Sequence, residues 1–349
     1  MKNKIIALLI LLATLLSTLT GCGKKQSYKT YSFAYFDTVS TIIGYETSEK
    51  KFSKISSEVM NLLGEYHKFF DIYNEYEGIN NLCSLNKLVD GEHQRLTVDR
   101  RIIDMLLEAK RMYEITGGKM NVAMGSVLSL WHDYRTAGID EPWNAKLPPM
   151  DELRAAALHT DISKVIIDEE NSTVWLSDPQ MKLDVGAFAK GYAVEMVAKY
   201  LEEKGKGGYV INVGGNIRTV GPKADGSKWK TGVENPIENP EVPYIEYLAL
   251  EDNAIVTSGS YQRYYLVDGK RYHHIIDPDT LMSAERGYLS VSIICESSAM
   301  GDGLSTALFC MELEDGMALI NSLEGVDAMW VMTDETKHYS SGFKDHLYN

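Results

Sequence analysis

The octet Asp184-Val185-Gly186-Ala187-Phe188-Ala189-Lys190-Gly191 gathers residue types that can do chemistry. Upstream, residues 172–176 and 181–183 read as short apolar strands around an Asp-Pro-Gln turn; downstream, residues 192–204 read as an amphipathic helix ending at Gly205. That pattern predicts a carboxylate where a strand stops, a glycine at the turn and a lysine in the first helical turn. Free N–H groups at a helix start bind anions. A lysine there opposes the helix dipole unless a bound phosphate offsets it. An ordinary connection carrying a solvated lysine is the alternative, and the octet alone does not separate the two.

Other groups add candidates. Asp302 and Thr306 are four apart at the predicted start of a helix over 302–311, so they share a face, with Ser305 on its flank. Their hard oxygens suit Mg²⁺, whereas no Cys/His spacing suits a softer metal. Taken alone, Asp302 reads equally as an N-cap, with Thr306 facing the core. His273 and His274 end a predicted hairpin strand, and alternation puts them on opposite faces, one toward a cleft and one toward solvent. A histidine so placed serves as general base or phosphate holder. The remaining histidines, His67, His93, His132, His159, His338 and His346, read as structural or surface residues. Ser258-Gly259-Ser260-Tyr261-Gln262-Arg263 and Val213-Gly214-Gly215-Asn216 can each cradle phosphate or simply turn. No G-x-G-x-x-G, G-x-S-x-G or Walker sequence is present.

The elements that must position these groups follow from periodicity. Helices are expected over 53–69, 97–116 (ended by Gly117-Gly118), 122–134 and 150–158. A strand pair or one long strand is expected over 31–45, and a Pro-containing loop over 140–149. Further strands are expected over 165–183, 209–219, 229–233, 244–250, 254–256, 288–295 and 328–332, with a hairpin over 263–276 turning at Asp268-Gly269. Helices cluster early and strands late, with little βαβ alternation. The expected fold is α+β, a single large domain with a mixed or antiparallel sheet and flanking helices over residues 31–349.

Lys2 and Lys4, the apolar run 5–16 and Leu19-Thr20-Gly21-Cys22 read as a lipoprotein signal over residues 1–21. Residues 22–30 read as a tether from a lipidated Cys22, which anchors the chain to the outer face of the cell membrane. Removing 21 of the 349 residues leaves 328, enough for a substantial core. The formal charge of −14 argues against nucleic-acid binding. Cys83, Cys295 and Cys310 read as buried small apolar residues, not a disulfide framework.

In order, the Asp184 octet, Val213-Gly214-Gly215-Asn216, Ser258-Gly259-Ser260-Tyr261, His274-Ile275-Ile276-Asp277-Pro278 and Asp302-x-x-Ser305-Thr306 resemble the ApbE family of FAD:protein FMN transferases. The resemblance implies Mg²⁺-dependent transfer of FMN from FAD to a threonine or serine hydroxyl of an acceptor protein, with release of AMP. It implies as acceptor a redox membrane protein or a secreted flavoprotein. It places metal ligands at Ala187 (through its carbonyl), Asp302, Ser305 and Thr306. Flavin contacts fall at Phe36, Tyr73, Lys119, Met120, Asn121, Asp184, Lys190 and Ile276, and the catalytic pair is His274 with Lys190. This chain has Phe36-Asp37-Thr38 where the family has Met-Gly-Thr, and Gly118-Lys119-Met120-Asn121 for Gly-Ala-Phe-Asp. It has Leu281 for the glycine of Asp-Pro-x-Thr-Gly, and Ser305 where an aspartate is common. An FAD pyrophosphatase and a non-enzymatic flavin-binding lipoprotein are the competing readings.

Overall fold

Alternating apolar and polar residues build the sheet, as period two requires when one strand face is buried. A computed structural model describes residues 24–88, 95–237, 240–261 and 263–348; the expected signal, Cys22, His93 and Gln262 lie outside them. The 31–45 stretch folds as β1 (Gln26–Tyr35) and β2 (Thr38–Glu46). Their two-residue turn puts Phe36 and Asp37 at φ of 56° and 49°, the type I′ geometry that matches strand twist. The first strand thus starts at Gln26, inside the stretch read as a tether.

Along the chain follow α1 (Glu49–Phe70), α2 (Leu82–Lys87), β3 (Leu96–Thr97), α3 (Arg100–Ile115), α4 (Gly125–Asp140), α5 (Met150–Ala157), β4 (Val165–Asp168), β5 (Thr173–Leu176) and α6 (Ala189–Glu203). The second half holds β6 (Tyr209–Val213), β7 (Asn216–Val220), β8 (Trp229–Glu234), β9 (Tyr244–Leu250), β10 (Ala254–Gly259), β11 (Tyr264–Val267), β12 (Lys270–His273) and β13 (Tyr288–Cys295). After these come α7 (Ser298–Phe309), α8 (Leu313–Ser322), β14 (Asp327–Met332) and β15 (Lys337–Tyr339). The main sheet runs β1-β2-β6-β7-β10-β13-β14-β15, and each of its ladders is antiparallel. This is the α+β architecture expected, with one large sheet and flanking helices.

One face of the sheet is covered by α1, α6 and α7, whose apolar stripes meet Ile42, Tyr209, Ile211, Val213 and Val291 in the largest core cluster. The other face packs the β8–β9 hairpin through Val233, Leu248, Leu250, Ile255 and Met329. A third, smaller core of Met124, Val127, Trp131, Leu153, Tyr265, Ile276 and Leu281 joins α4 and α5 to the β11–β12 hairpin. Cys83, Cys295 and Cys310 are buried and free, as expected.

Two local expectations fail. Residues 181–183 form no strand. Instead the irregular backbone is pinned from three sides: Gly125 N–H donates to the Lys182 carbonyl (3.0 Å), Leu183 N–H to Asn86 Oδ1 (2.7 Å) and Asp184 N–H to the Val122 carbonyl (2.8 Å). The helix expected from Asp302 starts at Ser298, with the Ser297 hydroxyl accepting the Met300 N–H, so Asp302 lies in the second turn and is not an N-cap. The signal missed is the Ser297-Ser298 pair, which precedes a small-residue run of weak apolar periodicity. The short α8 and β15 carry too few periodic positions to be read from sequence.

Helices α6 and α7 cross at very short range. A Cβ on Gly191 would overlap the Ser298 carbonyl oxygen and the Asp302 Cβ. That approach lets each helix cap the other. Asp302 Oδ2 accepts the Gly191 N–H (2.8 Å) in the first turn of α6, whose own N-cap, Phe188, offers no side-chain acceptor. Glu195 Oε2 accepts the Ser298 N–H (2.8 Å) at the start of α7. Asp302 lies four residues past the start of α7 and Glu195 six residues past the start of α6, so both acceptors come from the second turn of the partner helix. Gly191→Ala, which raises intrinsic helix propensity, should nonetheless destabilise the protein by about 2 kcal/mol. Urea denaturation checks this; a midpoint equal to or above that of the parent would refute the close-crossing account.

Candidate active site

The crossing of α6 and α7 delivers Lys190, Asp302 and Thr306 to one cleft of about 250 Å³. Four other segments complete its walls. The loop before α6 supplies Asp184, Gly186 and Ala187, and the turn after α3 supplies Lys119, Met120 and Asn121. Helix α4 supplies Leu128, Trp131, His132 and Arg135, and the segment after β12 supplies His274, Ile275 and Ile276. Thr38, Gly214, Asn216, Ser258 and Arg263 close the side formed by strand ends, and Tyr73 stands exposed at the mouth. Gly214 has φ +57°, and a Cβ there would collide with the Thr38 side chain; only glycine turns the chain this close to the cleft.

The cleft inverts the charge of the molecule. Lys190, Arg135 and Arg263 face only Asp184 and Asp302, on a chain of formal charge −14. Lys119 is already neutralised, its Nζ lying 3.2 Å from Asp277 Oδ1 and 2.6 Å from Asp279 Oδ2. Burial pulls its pKa down, yet these two carboxylates outweigh that and raise it. Burial pushes the Asp184 carboxyl above the usual carboxylate range, against the Gly186 N–H it accepts (2.8 Å) and the nearby His132, Arg135 and Lys190. The Arg135 guanidinium is pulled down, first by burial and then by Arg263. Such a site stabilises a multiply charged anion.

The His274 Nδ1 lies 3.3 Å from the Arg263 carbonyl. A carbonyl only accepts, so the proton sits on Nδ1 and Nε2 keeps its lone pair. Burial, then His273, Arg263, Lys190 and Arg135, lower its pKa from 6.5 to about 3. Its neighbour His273 does not face solvent, contrary to expectation. It is buried, donating from Nε2 to the Ala284 carbonyl (2.9 Å) and accepting the Ile275 N–H at Nδ1 (3.2 Å), which makes it a structural link.

Asp302, Thr306 and Ala187 line the cleft, and each carries hard oxygen. Among the described residues, no three His, Cys, Asp or Glu side chains converge on a metal position. The donor set therefore fits a Mg²⁺ ion that takes its remaining oxygens from phosphate and water. Ser305 is fully buried behind this set. Its hydroxyl lies 2.8 Å from Ser258 Oγ and 3.1 Å from the Asp302 carbonyl, and Ser258 in turn reaches Thr306 Oγ1 at 3.4 Å.

Residues 36–330 match the model of the ApbE family. The chain belongs to the ApbE family. A relative named FAD:protein FMN transferase from Vibrio cholerae serotype O1 is 31% identical over 351 residues, covering 99% of each chain. Another of that name, from Klebsiella pneumoniae strain 342, is 31% identical over 277 residues, 79% of this chain and 82% of its own. Among solved structures, the ApbE protein of Thermotoga maritima superposes with a TM-score of 0.79 at 28% identity, over 93% of this chain and all of that one. The flavin transferase ApbE of Vibrio cholerae gives 0.75 at 26% identity, with the same coverage.

Of the expected site residues, His274, Lys190, Tyr73, Lys119, Met120, Asn121, Asp184, Ile276, Ala187, Asp302 and Thr306 all line this one cleft. Two of the expected residues lie off its wall. Ser305 sits behind it, and Phe36 packs edge-on against His67 with ring centroids 5.4 Å apart, leaving Thr38 from the same turn to reach the cleft. Asn121 is committed to its surroundings as well, donating to the Thr160 carbonyl (2.9 Å) and capping the Ala123 N–H (2.9 Å). Sequence reasoning missed Trp131 and Arg135, and set His132 aside as structural or surface. Their signal is the 128, 131, 132, 135 spacing, a helix face on which His132 and Arg135 continue the apolar Leu128 and Trp131.

With a pKa near 3, His274 is neutral throughout the physiological range. The unfolded chain takes up this proton as pH falls below about 6.5, so stability drops on that side and is fully present above it. The imidazole resonances of His274, assigned against His274→Gln, should show no titration between pH 5 and 8 in the absence of flavin. A midpoint near 6.5 would overturn the desolvated placement.

Proposed function

We propose that this protein is a FAD:protein FMN transferase: it takes FAD, moves the FMN moiety to a threonine or serine hydroxyl of an acceptor protein, and releases AMP. The observation that carries this reading is the cationic cleft around Asp302 and Thr306, with a neutral histidine in its wall. Two linked phosphates are the ligand class this charge pattern recognises, and the relatives named above support the flavin. In the reaction the acceptor oxygen bonds to the FMN phosphorus. The anhydride P–O bond breaks, and AMP leaves with the electron pair. His274 Nε2 is the group free to take the hydroxyl proton. Lys190 and Arg135 lower the negative potential that repels the nucleophile. Asp302, Thr306 and the Ala187 carbonyl would hold Mg²⁺, which when bound neutralises pyrophosphate charge and steadies the leaving group. Ser305 would act by orienting Asp302 and Ser258.

Asp302→Asn separates the roles of its carboxylate, because the amide oxygen still caps Gly191. It should lower AMP release roughly a thousandfold while leaving the unfolding midpoint near that of the parent. Full activity in that variant, or in excess chelator, would rule out the metal role. Supplied with FAD, Mg²⁺ and an acceptor, the parent should form AMP and flavin-labelled acceptor in equal amounts, and FMN should not serve as donor. AMP with free FMN and no labelled acceptor would replace the transferase reading by a pyrophosphatase; bound FAD with no AMP would leave a flavin-binding protein.

We also infer export and lipid anchoring at Cys22, supported by the basic, apolar and Leu19-Thr20-Gly21-Cys22 segments of the leader. Cys22→Ala should leave an unprocessed precursor or a released soluble form on fractionation. A mature-sized variant that still pellets with membranes would contradict it.

A further inference from the structure

The main sheet is incomplete beside the cleft. Strands β7 and β10 pair only at Arg218 with Ala254 and Ile217 with Ile255. Nearer the cleft, β7 pairs on with β6 and β10 with β13, but not with each other. The seam that results is flanked by Gly214–Asn216 on one side and Val256–Thr257 on the other. Gly214 and Thr257 line the cleft on the helix side of the sheet and also a groove of about 630 Å³ on the opposite side. The seam is thus a wall common to both.

The groove lies between the sheet and the β8–β9 hairpin. Thr41, Ile43 and Ile217 form its floor, and Trp229 and Tyr244 its hairpin side. Its charges, Lys29, Lys230 and Glu234, are mixed, so it lacks the cationic character of the phosphate cleft. On β1, alternation from Lys29 puts Tyr31 and Phe33 on the groove's face, with Tyr31 opposite Thr41. Both aromatics are exposed, 64% and 71%, with ring centroids 6.0 Å apart. Exposed aromatics on the same face as a groove, beside its lining residues Lys29 and Thr41, are the signature of a protein-binding surface. At the seam, Asn216 is 2% exposed and lines the cleft, yet its Nδ2 has no hydrogen-bond partner. A buried donor without a partner costs stability unless a ligand supplies one.

We propose that this groove is the docking site of the acceptor protein. An extended acceptor segment lies beneath the β8–β9 hairpin against the Tyr31–Phe33 rim and presents its hydroxyl residue through the β7–β10 seam. There Asn216 Nδ2 donates to the segment's backbone carbonyl and places the hydroxyl against the FMN phosphorus. This assignment rests on the transferase reading. It separates the two substrates by face, with FAD on the helix side and the acceptor entering from the hairpin side. Extended peptides bind grooves of this kind through main-chain hydrogen bonds and alternate side-chain pockets.

The test uses protein acceptors labelled by the Vibrio cholerae and Klebsiella pneumoniae relatives. The variants are Tyr31→Ala with Phe33→Ala, which alters only exposed side chains, and Thr41→Trp, which fills the groove. Each should lower kcat/KM for the acceptor at least tenfold, chiefly through KM, while FAD affinity measured by flavin fluorescence stays within twofold of the parent. A benzophenone photoprobe at position 41 should cross-link to the acceptor. Unchanged acceptor kinetics with FAD binding intact would overturn the proposal, as would photoadducts formed only with a second copy of this chain. If a variant fails to bind FAD, the photoprobe decides: absence of an acceptor adduct overturns the proposal. A parent chain that labels neither acceptor instead removes the transferase reading, and the docking assignment falls with it.

Discussion

The site depends on the reciprocal capping of α6 and α7. Helix α6 starts without a side-chain cap of its own and α7 has only Ser297, and each receives a carboxylate from the second turn of the other. Neither bond forms unless Gly191 allows backbone-to-side-chain contact with Asp302. The Asp302 carboxylate is therefore held at one oxygen by a helix N-terminus in a residue that lines the cleft. Behind Glu195, the guanidinium of Arg218 approaches at 3.5 Å and also reaches Glu202 at 3.1 Å, so a buried charge network locks the same crossing from the far side. A buried carboxylate left unpaired would be costly, which is why these two are committed to N–H donors.

Electrostatics then divides the labour in the cleft. Burial disfavours every charged form, and the residues differ in how far partners restore it. Lys119 keeps its charge because Asp277 and Asp279 hold it, which also makes it a structural cation more than a free ligand for phosphate. Lys190, whose Nζ reaches the Gly186 carbonyl at 3.3 Å, remains beside the helix start where an anion would sit. His274, surrounded by cations, stays neutral and keeps a basic nitrogen. Incoming phosphate would reverse that field and raise its proton affinity, a change in the direction a general base requires.

The opening of the sheet between β7 and β10 has a local cause. The Gly214-Gly215 turn, with φ of +57° and +93°, bends β6 into β7 as a tight hairpin, while β10 stays paired with β13 through Gly259. Hydroxyls take over where main-chain pairing stops. Ser258 turns toward Ser305 and Thr306 on the helix side, and Thr257 bonds Ser292 at 2.8 Å on the other. One strand thus serves both faces through its alternation.

Local chemistry determined much of this in advance. Period-two alternation marked the β1–β2 stretch, and short apolar runs marked β6, β9 and β13. Glycine and Asp-Gly turns marked the hairpins, and the ordered motifs from Asp184 to Thr306 indicated the residues that line the cleft. These signals are legible because each depends on a few neighbouring residues and a fixed backbone period. Tertiary structure decided the rest. Whether Asp302 was a cap or a mid-helix acceptor, whether Ser305 faced the cleft or stood behind it, and whether Phe36 or Thr38 reached inward all depend on how separate elements cross. His132 and Arg135 became cleft residues only because the third small core turns α4 toward the ends of β10 and β12. Periodicity identifies which face of an element is apolar but carries no information on the angle at which two elements meet, and that angle here is set by a missing Cβ at Gly191 and two exchanged carboxylates.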